Sequence, residues 1–484
     1  MTPARGEFEP VIGLEIHAQL LTDTKIFCGC RTTFGAPPNT AVCPVCTGLP
    51  GALPVLNRRA VELGVLAALA LNCTIPPRSV FARKNYFYPD LPKGYQISQY
   101  DLPLATGGTL QAAGGPPVGI TRVHLEEDAG KSLHHGLADS DRATYVDFNR
   151  SGVPLIEIVT EPDLRSAADA AAFFAELREI LVTLGVSDGN MEEGSLRCDA
   201  NVSLRQAGAA RFGTKTEVKN VNSFRYLQRA LEFEIDRQRA VLDAGGTVRQ
   251  ETRLWDSTTG ETVAMRTKEE AHDYRYFPEP DLPPVVLEPA WVEELRRRLP
   301  ELPDARRLRF VGQYGLSEYD ADVLVRLMSG GADYFEAAVR AGAPPKSASN
   351  WIQGEVRRLM KDRGVERLAD APVPAEALAE LAGLADRGTI SSTVAKDVLA
   401  RMWTTGRRAA DIVREDGLGQ IGDEATLTAL VADVLAANPD AAAEYRAGKG
   451  AVLGFLVGQV MKKSGGKANP KVASELMRKT LEGG

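Results

Sequence analysis

The sequence has no run of about 18 apolar residues, the length that would carry a helix through a bilayer, so no membrane span is expected. Its first residues, MTPARGEFEP, lack the apolar core of a secretory leader, which makes the cytoplasm the expected compartment. Positive charge is not in excess: the formal net charge is −7, which excludes a basic coat but not a local basic patch. Repeats of fixed period and long low-complexity stretches are absent. A phosphate-binding P-loop is missing too. Gly130-Lys131-Ser132 imitates its end, but the glycine required five positions earlier is replaced by Leu125. Cysteine is scarce, six in 484 residues, and in a cytosolic chain these are expected as thiols or metal ligands rather than disulfides.

Four of the six cluster as Cys28-Gly-Cys30 and Cys43-Pro-Val-Cys46. Two short-spaced thiol pairs are how tetrahedral zinc is held, and four thiolates leave no open position, so such a site would be structural. Unmetallated thiols are the plainer alternative. Cys73 and Cys198 stand alone and suit small core positions.

A chain of this length, 44% hydrophobic and 25% charged, suggests several domains. Residues 11–20 alternate with the period of a strand. Ile12, Leu14, Ile16, Ala18 and Leu20 share one face, with Glu15, His17 and Gln19 on the other. The same segregation recurs at 120–127, where Val123 and Leu125 oppose Arg122, His124 and Glu126, and at 195–205. It appears again at 214–220, where Lys215, Glu217 and Lys219 share a face. Further strands are read at 145–150 and 154–159, the latter with Glu157 among apolar residues. Helices are expected from Asn57 to Leu71, from Ser166 to Leu184 and from Ser223 to about Asp243. Between them, Phe81 to Tyr100 mixes Arg83, Lys84 and Lys93 with six aromatics, a pairing of cations and stacking faces suited to a nucleotide, or simply a packed tyrosine-rich loop. His272 to Asp281 is a second aromatic, proline-stiffened segment. Past about residue 290 the texture turns to short amphipathic helices, and a second break falls near 405. Residues 445–484 carry eight Lys and Arg against two Glu, a local basic patch able to contact phosphates or a solvated helix end.

Pairing these strands into one sheet would give a helix-covered core and a polar floor. The floor would bear Glu15, His17, Glu126 or Glu127, Asp199, Lys215 and Lys219. Converging carboxylates repel unless a cation binds them, and oxygen-rich sites suit Mg²⁺, which commonly arrives with a nucleotide's phosphates. Lysines beside them could neutralise a migrating phosphoryl group. The residues alone thus point to an ATP-dependent phosphoryl-transfer or ligase site, against the alternative of a merely wet outer face.

The blocks VIGLEIHAQL, RKNYFYPDLPKGYQISQYD, ITRVHLEEDAGKS, PLIEIVTEPD, MEEGSLRCDANVSLR, TKTEVKNVNSF, DYRYFPEPDLPP and FLVGQVMKKSGGKANP closely resemble the B-subunit family of the glutamine-dependent aspartyl/glutamyl-tRNA amidotransferases. The resemblance runs from about residue 10 to the C-terminus. It implies an α+β chain: a glutamine-synthetase-like antiparallel-sheet cradle over residues 1–292 with a zinc knuckle at 28–46, an all-α helical domain over 293–405, and a tRNA-binding tail domain over 406–484. The implied reaction is ATP-dependent phosphorylation of the side-chain carboxylate of Glu on tRNA(Gln) or Asp on tRNA(Asn), then displacement of phosphate by ammonia.

Carried over by position, the resemblance makes Glu15, His17, Glu126, Glu127, Asp128 and Asp199 the Mg²⁺ region, with Glu127 the first choice in the acidic block. Lys84 and Lys215 would contact phosphate, and Arg197 and Lys219 complete the cofactor-contacting candidates. Cys28, Cys30, Cys43 and Cys46 match a zinc knuckle present in part of the family. No large insertion precedes the helical region, which favours the bacterial or organellar type. There is no Ser/Gly-rich amidase stretch and no N-terminal Cys nucleophile. The ammonia source implied is therefore the family's amidase, its A subunit, with the small C subunit bracing the pair in a heterotrimer. A free-standing ATP-dependent amino-acid ligase and a non-catalytic tRNA-binding scaffold are the alternatives.

Overall fold

The computed structural model describes residues 8–112, 114–133, 139, 142–265, 274–420, 424–465 and 467–482. His272 and Asp273 of the second aromatic segment lie outside them.

The chain divides into two compact units, Met1–Asp304 and Ala305–Gly484. In the first, the central strand β1 (Phe8–Gln19) has the two faces its sequence predicts. Ile12, Leu14, Ile16 and Ala18 are at most 1% exposed, while Glu15, His17 and Gln19 are half-buried on the other side. Around it lie β2 (Phe81–Asn85), β3 (Tyr95–Gln99), β4 (Pro117–Glu127), β5 (Pro154–Thr160), β6 (Leu196–Gln206), β7 (Thr216–Lys219), β8 (Glu251–Asp256) and β9 (Glu261–Ala264). The main sheet has nine strands among the described residues. It runs β9-β8-β7-β6-β1-β5-β4 and ends on the short strands Ala105–Thr106 and Thr109–Gln111. Its neighbours are antiparallel except β7 and β8, which run parallel. β2 and β3 pair in a separate small sheet. Tyr145–Asp147 pairs with Lys131–Leu133, so of the two strands read around Ser151-Gly152 only the second enters the main sheet.

Helices α1 (Arg58–Ala70), α2 (Ala167–Thr183) and α3 (Phe224–Asp243) form within one or two residues of their predicted limits because their ends are capped. The side chains of Asn57, Ser166 and Ser223 accept from the free N–H groups of Arg59, Asp169 and Tyr226. All three helices pack on the apolar face of the sheet. Their buried residues, such as Leu63, Phe173, Phe174 and Leu231, share one core with Ile12 and Ile16. Each such side chain contributes about 1.5–3 kcal/mol by leaving water. α1 approaches β4 closely through Gly64, where an added Cβ would meet Leu104 at 2.7 Å and Leu125 at 3.3 Å.

The first compact unit runs as far as Asp304. The reason is helix α4 (Pro289–Arg297), which buries Leu295 in the first core and brings Trp291, Val292, Leu299 and Leu302 against it. The second unit is helical and holds two cores. One runs from Phe310 to Val413 with Leu418 packed on it, the other from Leu427 to Leu481. The Ala409–Glu415 helix contributes Ile412 and Val413 to the first of these cores. No described helix is long and apolar enough to cross a membrane.

Candidate active site

Antiparallel register lines up polar residues across the floor of the sheet. His17 stands opposite Glu157 on one side and Arg197 on the other, and Glu157 stands opposite His124. Glu126, two residues beyond His124 on β4, joins the same face. The result is a compact group of two imidazoles and two carboxylates. His17 Nε2 lies 3.5 Å from Glu157 Oε2 and 3.6 Å from Glu126 Oε1. His124 Nε2 lies 3.1 Å from Glu157 Oε2 and 3.6 Å from Glu126 Oε2. The Ser98 hydroxyl donates to Glu126 at 3.2 Å, and Arg122 donates from Nε to His124 Nδ1 at 3.4 Å.

Burial and charge act against each other here. Burial favours neutral forms, but the opposite charges outweigh it. Glu157 is held well below the usual carboxylate range by His124 and His17. Glu126 is lowered by the same two imidazoles. His17 is raised by its bond to Glu157 and the charge of Glu126, and His124 is raised by Glu157 and Glu126 to about 9. One atom each from His17, Glu126 and Glu157 lies within 4.8 Å of the others, so the three can close on one divalent cation. The two carboxylates suit Mg²⁺, with water and phosphate completing its oxygen shell, and the imidazole adds a nitrogen donor that so hard a cation does not itself require.

Through His17 and Glu126 this group borders a chamber of about 470 Å³ that Lys84, Asp128, Arg197, Asp199 and Lys219 also line. Most of these side chains are pinned. Asp199 holds Lys219 at 2.7 Å, and Lys219 also reaches Glu217 at 2.9 Å. Arg197 donates to Asp128 at 3.1 Å, and Gln19 donates to the other oxygen of Asp128 at 2.9 Å. Lys84 Nζ sits 4.8 Å above the Tyr274 ring.

Three expected residues stand elsewhere. Glu15 accepts from Asn201 at 2.9 Å and lines a neighbouring pocket of about 320 Å³ with Lys215, which lies just outside β7. Glu127 faces the reverse of β4, as alternation demands of the residue after Glu126. There it pairs with Lys93 and accepts from the Ile97 N–H at 2.9 Å. It lines a separate chamber of about 210 Å³ beside Lys25 and Cys46. The cluster's other two members, Glu157 and His124, were not among the expected site residues. Their signal was parity. Glu157 falls on the same face as Leu155 and Val159, opposite the buried Ile156 and Ile158, and His124 shares its face with Glu126.

The four clustered cysteines also converge, their sulfurs within 4.8 Å of one another. Tetrahedral zinc at about 2.3 Å from each sulfur sets them about 3.8 Å apart, so the set fits the metal after a small contraction. The bond from Cys28, helped by the Lys25 ammonium, holds the Cys46 thiol down at about 4 against the opposing effect of burial. Lys25 is fully buried and donates to Cys46 Sγ at 3.5 Å, Ala41 O at 2.8 Å and Phe148 O at 3.3 Å. Residues 147–153 are tied to this knuckle. Asn149 accepts from the Ala41 N–H at 2.8 Å, and Ser151 donates to Cys46 O at 3.2 Å.

The sequence matches the family described as GatB/GatE catalytic domain over residues 10–293, more than half of the chain, and the GatB domain over residues 333–481. The chain belongs to the GatB family. Full-length relatives agree. It is 58% identical over 480 residues to the B subunit of the aspartyl/glutamyl-tRNA(Asn/Gln) amidotransferase of Moorella thermoacetica, covering 98% of this chain and all of the relative. Its identity to the protein of the same name from Geotalea daltonii is 55% over 480 residues, covering 99% of this chain and all of the relative. GatB-family membership thus extends over both compact units.

Proposed function

We propose that the chain is the B subunit of a glutamine-dependent tRNA amidotransferase, an ATP-dependent carbon–nitrogen ligase. It would use ATP to phosphorylate the side-chain carboxylate of Glu-tRNA(Gln), Asp-tRNA(Asn) or both. Ammonia then displaces phosphate and leaves the amide. The observation that carries this reading is the convergence of His17, Glu126 and Glu157, the first two of which line one chamber with Lys84, Arg197 and Lys219. Acids to hold a cation and bases to meet phosphates are what phosphoryl transfer needs, since most of its catalysis is positioning and charge neutralisation.

In this reading His17, Glu126 and Glu157 hold Mg²⁺, which supplies charge neutralisation at the transferring phosphoryl group. His124 keeps Glu157 and Glu126 ionised and fixes their orientation. Lys84 and Arg197 face the phosphate oxygens. Asp199 acts through Lys219, keeping its ammonium aimed into the chamber. Cys28, Cys30, Cys43 and Cys46 hold structural Zn²⁺. The antiparallel sheet with one polar face supports a glutamine-synthetase-like cradle. The exposed Lys462, Lys467, Lys471 and Lys479 support a tail that contacts tRNA phosphates. An amidase (the A subunit) and a small bracing protein (the C subunit) would supply and channel the ammonia, in the cytoplasm.

The test is ATP turnover by the assembled complex with Mg²⁺, ammonia and either Glu-tRNA(Gln) or free glutamate. Turnover that requires the charged tRNA is expected. Turnover with the free amino acid would make the chain a free-standing ligase, and none with either would leave a tRNA-binding scaffold.

A further inference from the structure

We infer that Phe87 and Tyr88, beside the mouth of the reaction chamber, form a stacking platform for the unpaired 3′ end of the substrate tRNA. The inference rests on the reading above, in which the reacting carboxylate belongs to an aminoacyl ester at that end.

Phe87 is 82% exposed, more than any other large hydrophobic side chain among the described residues, and its neighbour Tyr88 is 65% exposed. Two adjacent aromatic rings facing water are unfavourable unless something covers them. One edge of the Phe87 ring lies beside Gly94, where an added Cβ would meet it at 3.0 Å.

The loop that presents the rings is preorganised. The Leu91 N–H donates to Tyr88 O, and the Gly94 N–H donates to Leu91 O, both at 3.0 Å. Asp90 anchors the turn, accepting from the Gly130 N–H at 2.8 Å through its carbonyl and from the Ser132 hydroxyl at 3.3 Å through its carboxylate. Pro89 and Pro92 restrict it further. A ring held outward in this way loses little entropy on binding.

Position decides the occupant. Tyr86, the residue before Phe87, lines the chamber together with His17 and Glu126. Consecutive Cα atoms are about 3.8 Å apart, so the platform begins at the chamber wall. A side-chain carboxylate attached to the last ribose of a tRNA can reach the cluster only if the final nucleotides rest at that wall. They are single-stranded, and unpaired bases stack on aromatic faces whatever their identity. Lys84 adds a cation two residues before Tyr86 for the connecting phosphates.

The test uses the assembled complex and a tRNA carrying 2-aminopurine as its terminal base, whose fluorescence is quenched on stacking. Wild type should quench it, and the double variant Phe87→Ala, Tyr88→Ala should not. The same variant should raise KM for the charged tRNA about ten- to a hundredfold, with kcat and KM for ATP nearly kept, and Phe87→Trp should retain quenching. Unchanged quenching and KM in the alanine variant would overturn the inference. So would failure of that variant to assemble with its partner proteins, because the rings would then seat a protein. Quenching is read without turnover, so the platform and the proposed reaction can fail separately.

Discussion

A carboxylate lying between two imidazoles, as Glu157 lies between His17 and His124, is kept ionised by both. Replacing it with the isosteric amide removes a ligand charge and leaves the cavity filled. Glu157→Gln should weaken Mn²⁺ or Mg²⁺ binding about a hundredfold and depress amidation, with tRNA affinity nearly intact. Isothermal titration and filter binding separate the two effects. His124 gives a pH signature in metal-free protein. Its folded pKa, about 9, exceeds the ordinary histidine value of 6.5. Its contribution to stability is therefore fully present below about 6.5 and lost as pH rises through about 9. The melting temperatures of wild type and His124→Gln should differ most at the lower end of that window and converge above it. At this scale the sequence could be read only halfway. The EED block offered two adjacent glutamates, and alternation from His124 selects Glu126, yet resemblance favoured Glu127. Glu157 was visible as a charge in an apolar strand, but its partners lie on strands far away in sequence, and only pairing brings them to it.

The elements themselves were legible because local signals agree. Three capped helices form within a residue or two of their expected limits, and the alternating strands within three. What periodicity did not reveal is pairing, such as the short partner strand of Tyr145–Asp147, or the allegiance of a helix like α4, whose Leu295 fixes it to the first core. The cysteine knuckle is an element without regular structure of its own, so its order depends on the cluster. On the proposed zinc assignment, a chelator, or substituting Cys43→Ser, should lower the melting temperature and expose the 147–153 turn that Cys46 and Ala41 hold. Hydrogen exchange at Ile26, whose N–H donates to Gly152 O at 2.9 Å, reports that loosening. Unchanged exchange after metal loss would show that the turn stands without the knuckle.

Across the molecule, charge is unevenly shared. The average is acidic, yet the last core carries exposed lysines on Val452–Lys463 and Pro470–Glu482. Ending the chain at residue 420 removes that core whole, from Leu427 to Leu481, rather than exposing half of it. Such a chain should bind tRNA more weakly, and its salt dependence should become shallower by about 0.9 for each phosphate no longer neutralised. The thermal transition of the sheet unit should be unchanged, because its core ends at Leu295. Equal affinity of the two chains at all salt concentrations would remove the tail from the interface. A change of texture near residue 290 is readable in the sequence, whereas which core Leu295, Leu299 and Leu302 join is not.

The adjacency of Glu126 and Glu127 on β4 gives the strand the character of a party wall. One residue furnishes the room in front and the next the room behind. Exchanging side chains there alters one room at a time. Inserting or deleting a single residue between Val123 and Glu126 would reverse the parity and hand each carboxylate to the wrong side. In variants of this chain β4 should therefore accept substitutions far more readily than changes of length.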